Sequence, residues 1–199
     1  KWYYNRVSDG NGGYTAEITY KDKNYNSYTL SNITIPEKLG EYTVTSISPV
    51  AFYRCSSIRK ITIPETVTQI GSSAFYGCSS LESVVIPDGV TQIGYWAFRG
   101  CSSLKSITIP SGVTRLENWT FYDCNSLKAV YISDLSRWCM IDFVDESANP
   151  CSKAKHLYLN GEELVHAVIP DDVSAIGKYA FYNCTSLESV VSAVGTAVS

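Results

Sequence analysis

The chain repeats itself, and that repetition constrains its fold more than any other feature. The segment from Ile63 to Ile86 is rewritten with small changes from Ile86 to Ile109 and from Ile109 to Ile132, a period of 23 residues. The pairs Ile63-Pro64, Ile86-Pro87 and Ile109-Pro110 recur on it, as do Ala74-Phe75, Ala97-Phe98 and Thr120-Phe121. Cysteine keeps the same beat at Cys55, Cys78, Cys101 and Cys124. A period in the low twenties predicts a solenoid, in which one coil cannot bury its apolar face until a neighbour stacks on it. Such a chain builds a surface, and its function is expected there.

Within a repeat, Leu104-Lys105-Ser106-Ile107-Thr108-Ile109 ends in an in-out-in alternation, the mark of a short strand with one buried face. Pro110 has no backbone donor and closes the ladder. A second apolar pair follows, Val67 and Ile70, Val90 and Ile93, Val113 and Leu116. The coil then turns at Gly71 or Gly94 into Ala-Phe-x-x-Cys, which fits a brief helical turn whose Phe, such as Phe98, plugs the interior.

The pattern Leu-x-x-Ile-x-Ile-Pro followed by Val-Thr-x-Ile-Gly-x-x-Ala-Phe-x-x-Cys-x-Ser-Leu resembles the leucine-rich repeats of the bacterial BspA-like surface proteins. The resemblance covers most of the chain. It implies an α/β repeat solenoid, right-handed, with a parallel β-sheet on one face and short strands and helical turns on the other. It also implies a secreted or cell-surface location and a role in adhesion or protein binding.

One domain over 1–199 is expected, divided by its departures from the pattern. Residues 1–34 lack the repeat and alternate polar with apolar side chains (Tyr14, Ala16, Ile18, Tyr20) beside a turn at Gly10 to Gly13, which predicts a hairpin capping the solenoid. Repeats occupy 35–132, with extra residues in the first coil around Glu37 to Tyr42. The beat is lost over 133–164, an insertion or an irregular coil that holds Trp138, Cys139, Phe143, Cys151 and the turn Asn160-Gly161. It resumes over 165–199 with Val173, Ile176, Ala180, Phe181 and Cys184, and 192–199 read as an unfinished coil.

Composition excludes several classes. With Lys+Arg 16, Asp+Glu 19, a net charge of -3 and no basic run, the chain lacks the patch that nucleic acids require. Anchoring on an anionic membrane is disfavoured for the same reason, and no stretch approaches a spanning segment. Charged residues are only 18% while Tyr numbers 15, a hydroxyl- and amide-rich surface more common outside cells. Lys1 opens no signal peptide, so that of an exported parent would lie outside this sequence. Cys55, Cys78, Cys101, Cys124 and Cys184 share one repeat position, where stacked side chains point in parallel and predict buried thiols, not disulfides. Cys139 and Cys151 lie outside the repeat and could bridge each other.

No catalytic constellation stands out. Cys139 or Cys151 with His156 lacks an oxyanion turn. Cys139, Cys151, His156 and His166 can be written as a zinc set, but spacings of 12, 5 and 10 are unlike structural zinc sites. Asp142, Asp145 and Glu146 crowd together without the cleft that a glycosidase pair needs. No cofactor or metal is implied. Two exposed stripes remain as binding candidates. On the sheet face the outward residues include Thr62, Val85, Thr108 and Tyr131; beside the buried Phe, Trp96, Trp119 and Tyr179 fill one slot in different coils, with Tyr76, Tyr122 and Tyr182 after their Phe residues. Aligned aromatics carry contact area at low entropy cost, although they also suit a lid over the groove between coils. The chain is therefore expected to be a non-enzymatic exported module binding a host or bacterial surface protein or glycan. The alternatives are a hydrolase with its site in 134–164 and a stalk spacing other domains.

Overall fold

The computed structural model describes residues 2–20, 28 and 30–193. Over them the chain winds as a β-solenoid with two files of short strands, the first divided into separate sheets between Ser83–Val85 and Ser106–Thr108 and again before the last coil. In the first ladder Asn32–Thr34, Lys60–Thr62 and Ser83–Val85 pair in parallel, as do Ser106–Thr108, Ala129–Ile132 and Leu157–Leu159. The register sets Thr62 beside Val85 and Ile61 beside Val84, so equivalent residues of successive coils stack. Ile33, Ile61, Val84, Ile107 and Val130 are buried while their neighbours face outward, the alternation that a pleat of period two imposes. The second ladder runs through Gln69–Ile70, Gln92–Ile93, Arg115–Leu116 and Asp142–Phe143, its strands only two residues long.

The N-terminal hairpin pairs Tyr4–Ser8 with Tyr14–Ile18. The Asp9 carboxylate accepts from the Asn11 and Gly13 N–H groups and fixes its turn. Tyr14–Ile18 then pairs in parallel with Tyr42–Ile47, which places Ala16 and Ile18 in the interior. Tyr28 lies on Phe52 with ring centroids 4.8 Å apart. The hairpin thus extends the second ladder, while Asn32–Thr34, assigned from sequence to the cap, is already a strand of the solenoid. The first coil's extra residues form a small hairpin, Lys38–Leu39 against Tyr42–Ile47, around Gly40 at φ +64°.

Opposite the first ladder the expected helical turns are absent, and the α/β description is too generous. Ala51, Tyr53 and Cys55 donate to carbonyls three residues back, but the intervening Phe52 and Arg54 donate to Ala74 and Tyr76 of the next coil. Every second N–H is spent between coils, so no helix can propagate. Left-handed residues at Val50, Ser73, Trp96, Trp119 and Tyr179, and again at Arg54, Gly77, Gly100, Asp123 and Asn183, reverse the chain twice in each of these coils, the fifth excepted. Coils approach closely here: a Cβ on Gly94 would lie 2.5 Å from the Ser72 nitrogen. Inside, Phe52, Phe75, Phe98 and Phe121 stack at 5.1 to 5.6 Å.

The interval 133–164 holds a full coil. Leu116 pairs with Phe143 and Ile132 with Leu159, so both ladders continue, displaced by 27 residues instead of 23. The extra length is taken up by α1, Leu135–Cys139, whose first turn is capped by the Asp134 carboxylate accepting from Arg137 N–H at 2.9 Å. A second short helix, α2, spans Cys151–Ala154. At the displaced register Ala148 stands where earlier coils place Phe, and Trp138 of α1 supplies the missing bulk as a fully buried side chain. Among the described residues α1 and α2 are the only helices.

The first ladder does not run unbroken into the last coil. Leu157–Leu159 turns at Asn160 and Gly161 into Glu162–Glu163, which pairs antiparallel and occupies the edge. His166–Ile169 and Ser189–Ser192 form a separate parallel pair. In this last coil Val173, Ile176, Phe181 and Leu187 are only partly buried. Of the unfinished coil expected over 192–199, residues 194–199 lie outside those described.

Candidate binding surfaces

The residues singled out for chemistry are scattered. All seven cysteines are buried free thiols, and the bridge considered for Cys139 and Cys151 is not formed. Cys151 instead lies 27 residues after Cys124, in the thiol ladder, beside Cys184. The ladder has a structural role: the thiols of Cys78, Cys101 and Cys124 donate to the carbonyls of Phe52, Phe75 and Phe98 in the preceding coil, at 3.0 to 3.2 Å. Burial pushes the Cys124 thiol up to about 12 and the Cys139 thiol up to about 11, and raises Cys78 and Cys101 as well. A thiol held protonated is no nucleophile.

His156 is exposed and meets Glu163 at 2.6 Å, and His166 meets the Ser189 hydroxyl at 3.0 Å. Cys139, Cys151, His156 and His166 do not converge, and no cluster of three or more metal-ligating side chains occurs among the described residues. Asp142 is paired with Arg115, and Asp145 accepts from the Ser147 N–H and hydroxyl. Among the described residues no helix is long and apolar enough to cross a membrane.

On the first ladder Val85 and Thr108 are exposed and Thr62 and Tyr131 half-buried, a file of small side chains apart from Tyr131. Tyr131 lies beside Tyr158, centroids 4.9 Å apart. Tyr158 was not singled out from sequence, because the lost beat hid its register. At the ladder's edge Glu82 accepts from Arg59 one coil before and Lys105 one coil after. These hydrogen bonds, that of Lys105 foremost, hold the Glu82 carboxyl below the usual carboxylate range.

The opposite face carries two outward columns. One contains Trp96 and Trp119, stacked at 5.8 Å with planes 24° apart. Trp96 is half-buried and its indole N–H is enclosed without a partner, so it serves largely as a lid between coils. Trp119 is 41% exposed and reaches solvent. Tyr179 holds the same left-handed slot in the last coil, with the Lys178 ammonium 4.7 Å from its ring centre. The other column runs Tyr53, Tyr76, Arg99, Tyr122. Tyr53 and Tyr76 stack at 4.9 Å, and the Arg99 guanidinium lies 5.6 Å from Tyr76, 5.0 Å from Tyr122 and 5.2 Å from Trp96. The guanidinium is held by aromatic faces on both sides, a geometry that favours charge over π systems. Sequence reasoning found Tyr76 and Tyr122 and missed Tyr53 and Arg99, whose places in the column show only once the four residues are aligned at one repeat position.

A third feature is a shallow groove of about 470 Å³ along the second ladder, lined by Gln69, Gln92, Arg115 and Glu117. It was not anticipated, because those strands were read for their apolar members alone. Its charges are mutually engaged: Arg115 pairs with Glu117 and Asp142.

No curated protein matches the chain significantly. A leucine-rich repeat protein from Bacteroides capillosus shares 31% identity over 67% of this chain and 94% of its own, with a TM-score of 0.57. The leucine-rich repeat protein of T. pallidum shares 19% identity over 96% of this chain and 82% of its own, with a TM-score of 0.52, a likeness of fold alone. A leucine rich cell surface protein from Faecalibacterium prausnitzii shares 26% identity over 96% of this chain and 54% of its own, with a TM-score of 0.48. The sequence profile of the BspA type leucine rich repeat region matches six copies over residues 18–139 and 154–195. With the stacked coils, the repeated Phe and thiol ladders and this match in agreement, the chain belongs to the BspA-type leucine-rich repeat family.

Proposed function

We propose that this chain is a non-catalytic binding module acting at or beyond the bacterial cell surface, and that it engages a surface protein or glycan through the face that carries the aromatic columns. The observation behind this reading is the Tyr53, Tyr76, Arg99, Tyr122 column beside exposed Trp119. Tyr, Trp and Arg are the residues that dominate binding energy where they are rigid and can be desolvated, and here neighbouring coils already hold them in place. The file of Thr62, Val85, Thr108 and Tyr131 offers a flatter surface with fewer large anchors. Export is supported by the family resemblance and by the low-charge, hydroxyl-rich composition.

The test is an array of surface proteins and glycans probed with the wild type and three variants. Tyr122→Ala and Trp119→Ala should each weaken the recovered interaction by about 2 kcal/mol, roughly thirtyfold. Tyr131→Ala should leave it unchanged. Loss of binding on Tyr131→Ala alone would transfer the function to the sheet face, and an array with no partner at all would favour a stalk.

A further inference from the structure

The fifth coil interrupts both outward columns. At its 27-residue displacement Glu146 stands where Trp119 did and Asn149 where Tyr122 did. Asn149 is fully buried, its amide turned inward to the Tyr179 and Ala180 carbonyls at 2.7 and 2.9 Å. The aromatic face therefore lacks one rung. The missing rung leaves a notch of about 190 Å³ bounded by Tyr122 of the fourth coil and Tyr182 of the last. Both rings are substantially exposed, at 40% and 44%. Lys153, Glu146 and Ser152 line the space between them. The Lys153 ammonium sits 4.9 Å from the centre of the Tyr122 ring and makes no ion pair among the described residues.

We infer that this notch receives one pyranose ring of a glycan. The inference rests on the proposed binding role and names a ligand class for that face. A sugar ring offers C–H faces that pack on aromatic walls and a rim of hydroxyls that both donate and accept. The exposed Tyr182 ring supplies the packing face, Lys153, seated on the Tyr122 ring at the other side, donates, Glu146 accepts, and the Ser152 hydroxyl does either. Lys153 and Glu146 carry opposite charges, with Lys178 close to Glu146, so the notch offers hydroxyls both donors and an acceptor. The space of about 190 Å³ is on the scale of a single ring.

The experiment is saturation-transfer NMR on the folded chain with millimolar methyl glycosides of glucose, galactose, mannose and N-acetylglucosamine. At least one should receive saturation at its ring C–H protons. Tyr182→Ala and Glu146→Gln should each weaken that binding at least tenfold, Tyr182→Phe should retain it, and Trp96→Ala and Tyr131→Ala should leave it alone. The inference is overturned if no glycoside receives saturation from folded wild type, or if binding survives Tyr122→Ala and Tyr182→Ala combined. An array partner lost on Trp119→Ala while every glycoside stays silent would remove this inference and keep the binding role. Glycoside binding abolished by Tyr131→Ala would remove both.

Discussion

The second to fourth coils and the fifth build the same turn of the solenoid from different residues. In the regular coils one Phe in each copy fills the interior, and a Tyr, Trp or Arg on the outer edge stacks on its neighbour. In the fifth coil Ala148 takes the Phe position, Trp138 enters from α1 to fill the interior, and Asn149 turns inward where an aromatic would have faced out. The ladders nonetheless continue through Asp142–Phe143 and Leu157–Leu159 in unbroken register. What a coil must conserve is therefore interior volume and inter-coil hydrogen bonding, not the residue that delivers them. The outer columns answer to no such requirement, so the outer face is where this chain is free to differ from coil to coil.

The sharpest way to break the comparison is to empty each interior. Phe98→Ala and Trp138→Ala should each lower stability by about 3 to 5 kcal/mol in denaturant unfolding. Ala148→Phe should recover part of the Trp138→Ala loss while destabilising the wild type by about 1 to 3 kcal/mol through overpacking. If Trp138→Ala costs no more than a surface substitution, the fifth coil is filled by something else.

The thiol ladder runs through both kinds of coil, which makes alkaline titration the next test. Unfolded thiols ionise near 9.0, whereas Cys124 in the folded chain does so at about 12 and Cys78 and Cys101 are also raised. The unfolded chain releases protons first, so the stability present below pH 9 should be lost as pH rises from there. The slope is about 1.4 kcal/mol per pH unit for each buried thiol. A melting temperature flat up to pH 11 would contradict this. At pH 8 a thiol reagent should label none of the cysteines before denaturation, and early labelling of Cys139 or Cys151 would show that the fifth coil opens on its own.

Asn149→Ala removes the amide that ties the fifth coil to the Tyr179 and Ala180 carbonyls. The Trp138 indole N–H still donates to Ala180 at 2.9 Å. The cost should be about 1 to 3 kcal/mol, confined by hydrogen exchange to the last two coils. Protection lost equally in the coils of Phe75 and Phe98 would mean that the solenoid unfolds as one unit. The smallest effect concerns backbone strain. Val50 holds φ +58°, a region that glycine enters freely and a β-branched residue does not. Val50→Gly should stabilise by about 0.5 to 1 kcal/mol, read as a raised midpoint of thermal unfolding.

Most of the regular solenoid was legible because period carries register: once Ile63, Ile86 and Ile109 are aligned, every inward and outward position follows. The cap was visible in the alternation of Tyr14, Ala16 and Ile18. The binding candidates were legible only in part. Trp96 and Trp119 read as equivalent, yet one is half-buried as a lid and the other reaches solvent, because the depth of a ring depends on what the adjacent coil places beside it. The turn conformation was misread because Ala-Phe-x-x-Cys has helical spacing, whereas the alternate N–H groups of Phe52 and Arg54 are taken by the next coil. No local propensity reveals that demand.

The sequence by itself thus determined the solenoid, its repeat length and the buried Phe and Cys files, since each follows from residue type recurring at a fixed interval. Only the tertiary structure decided that residues 133–164 are a coil, that Trp138 replaces a Phe, that Lys153 stands against Tyr122, and that a notch opens between Tyr122 and Tyr182. The physical reason is that a displaced register can be read only from backbone pairing, and a surface is made by neighbours that lie one or two coils apart in sequence and in contact in space.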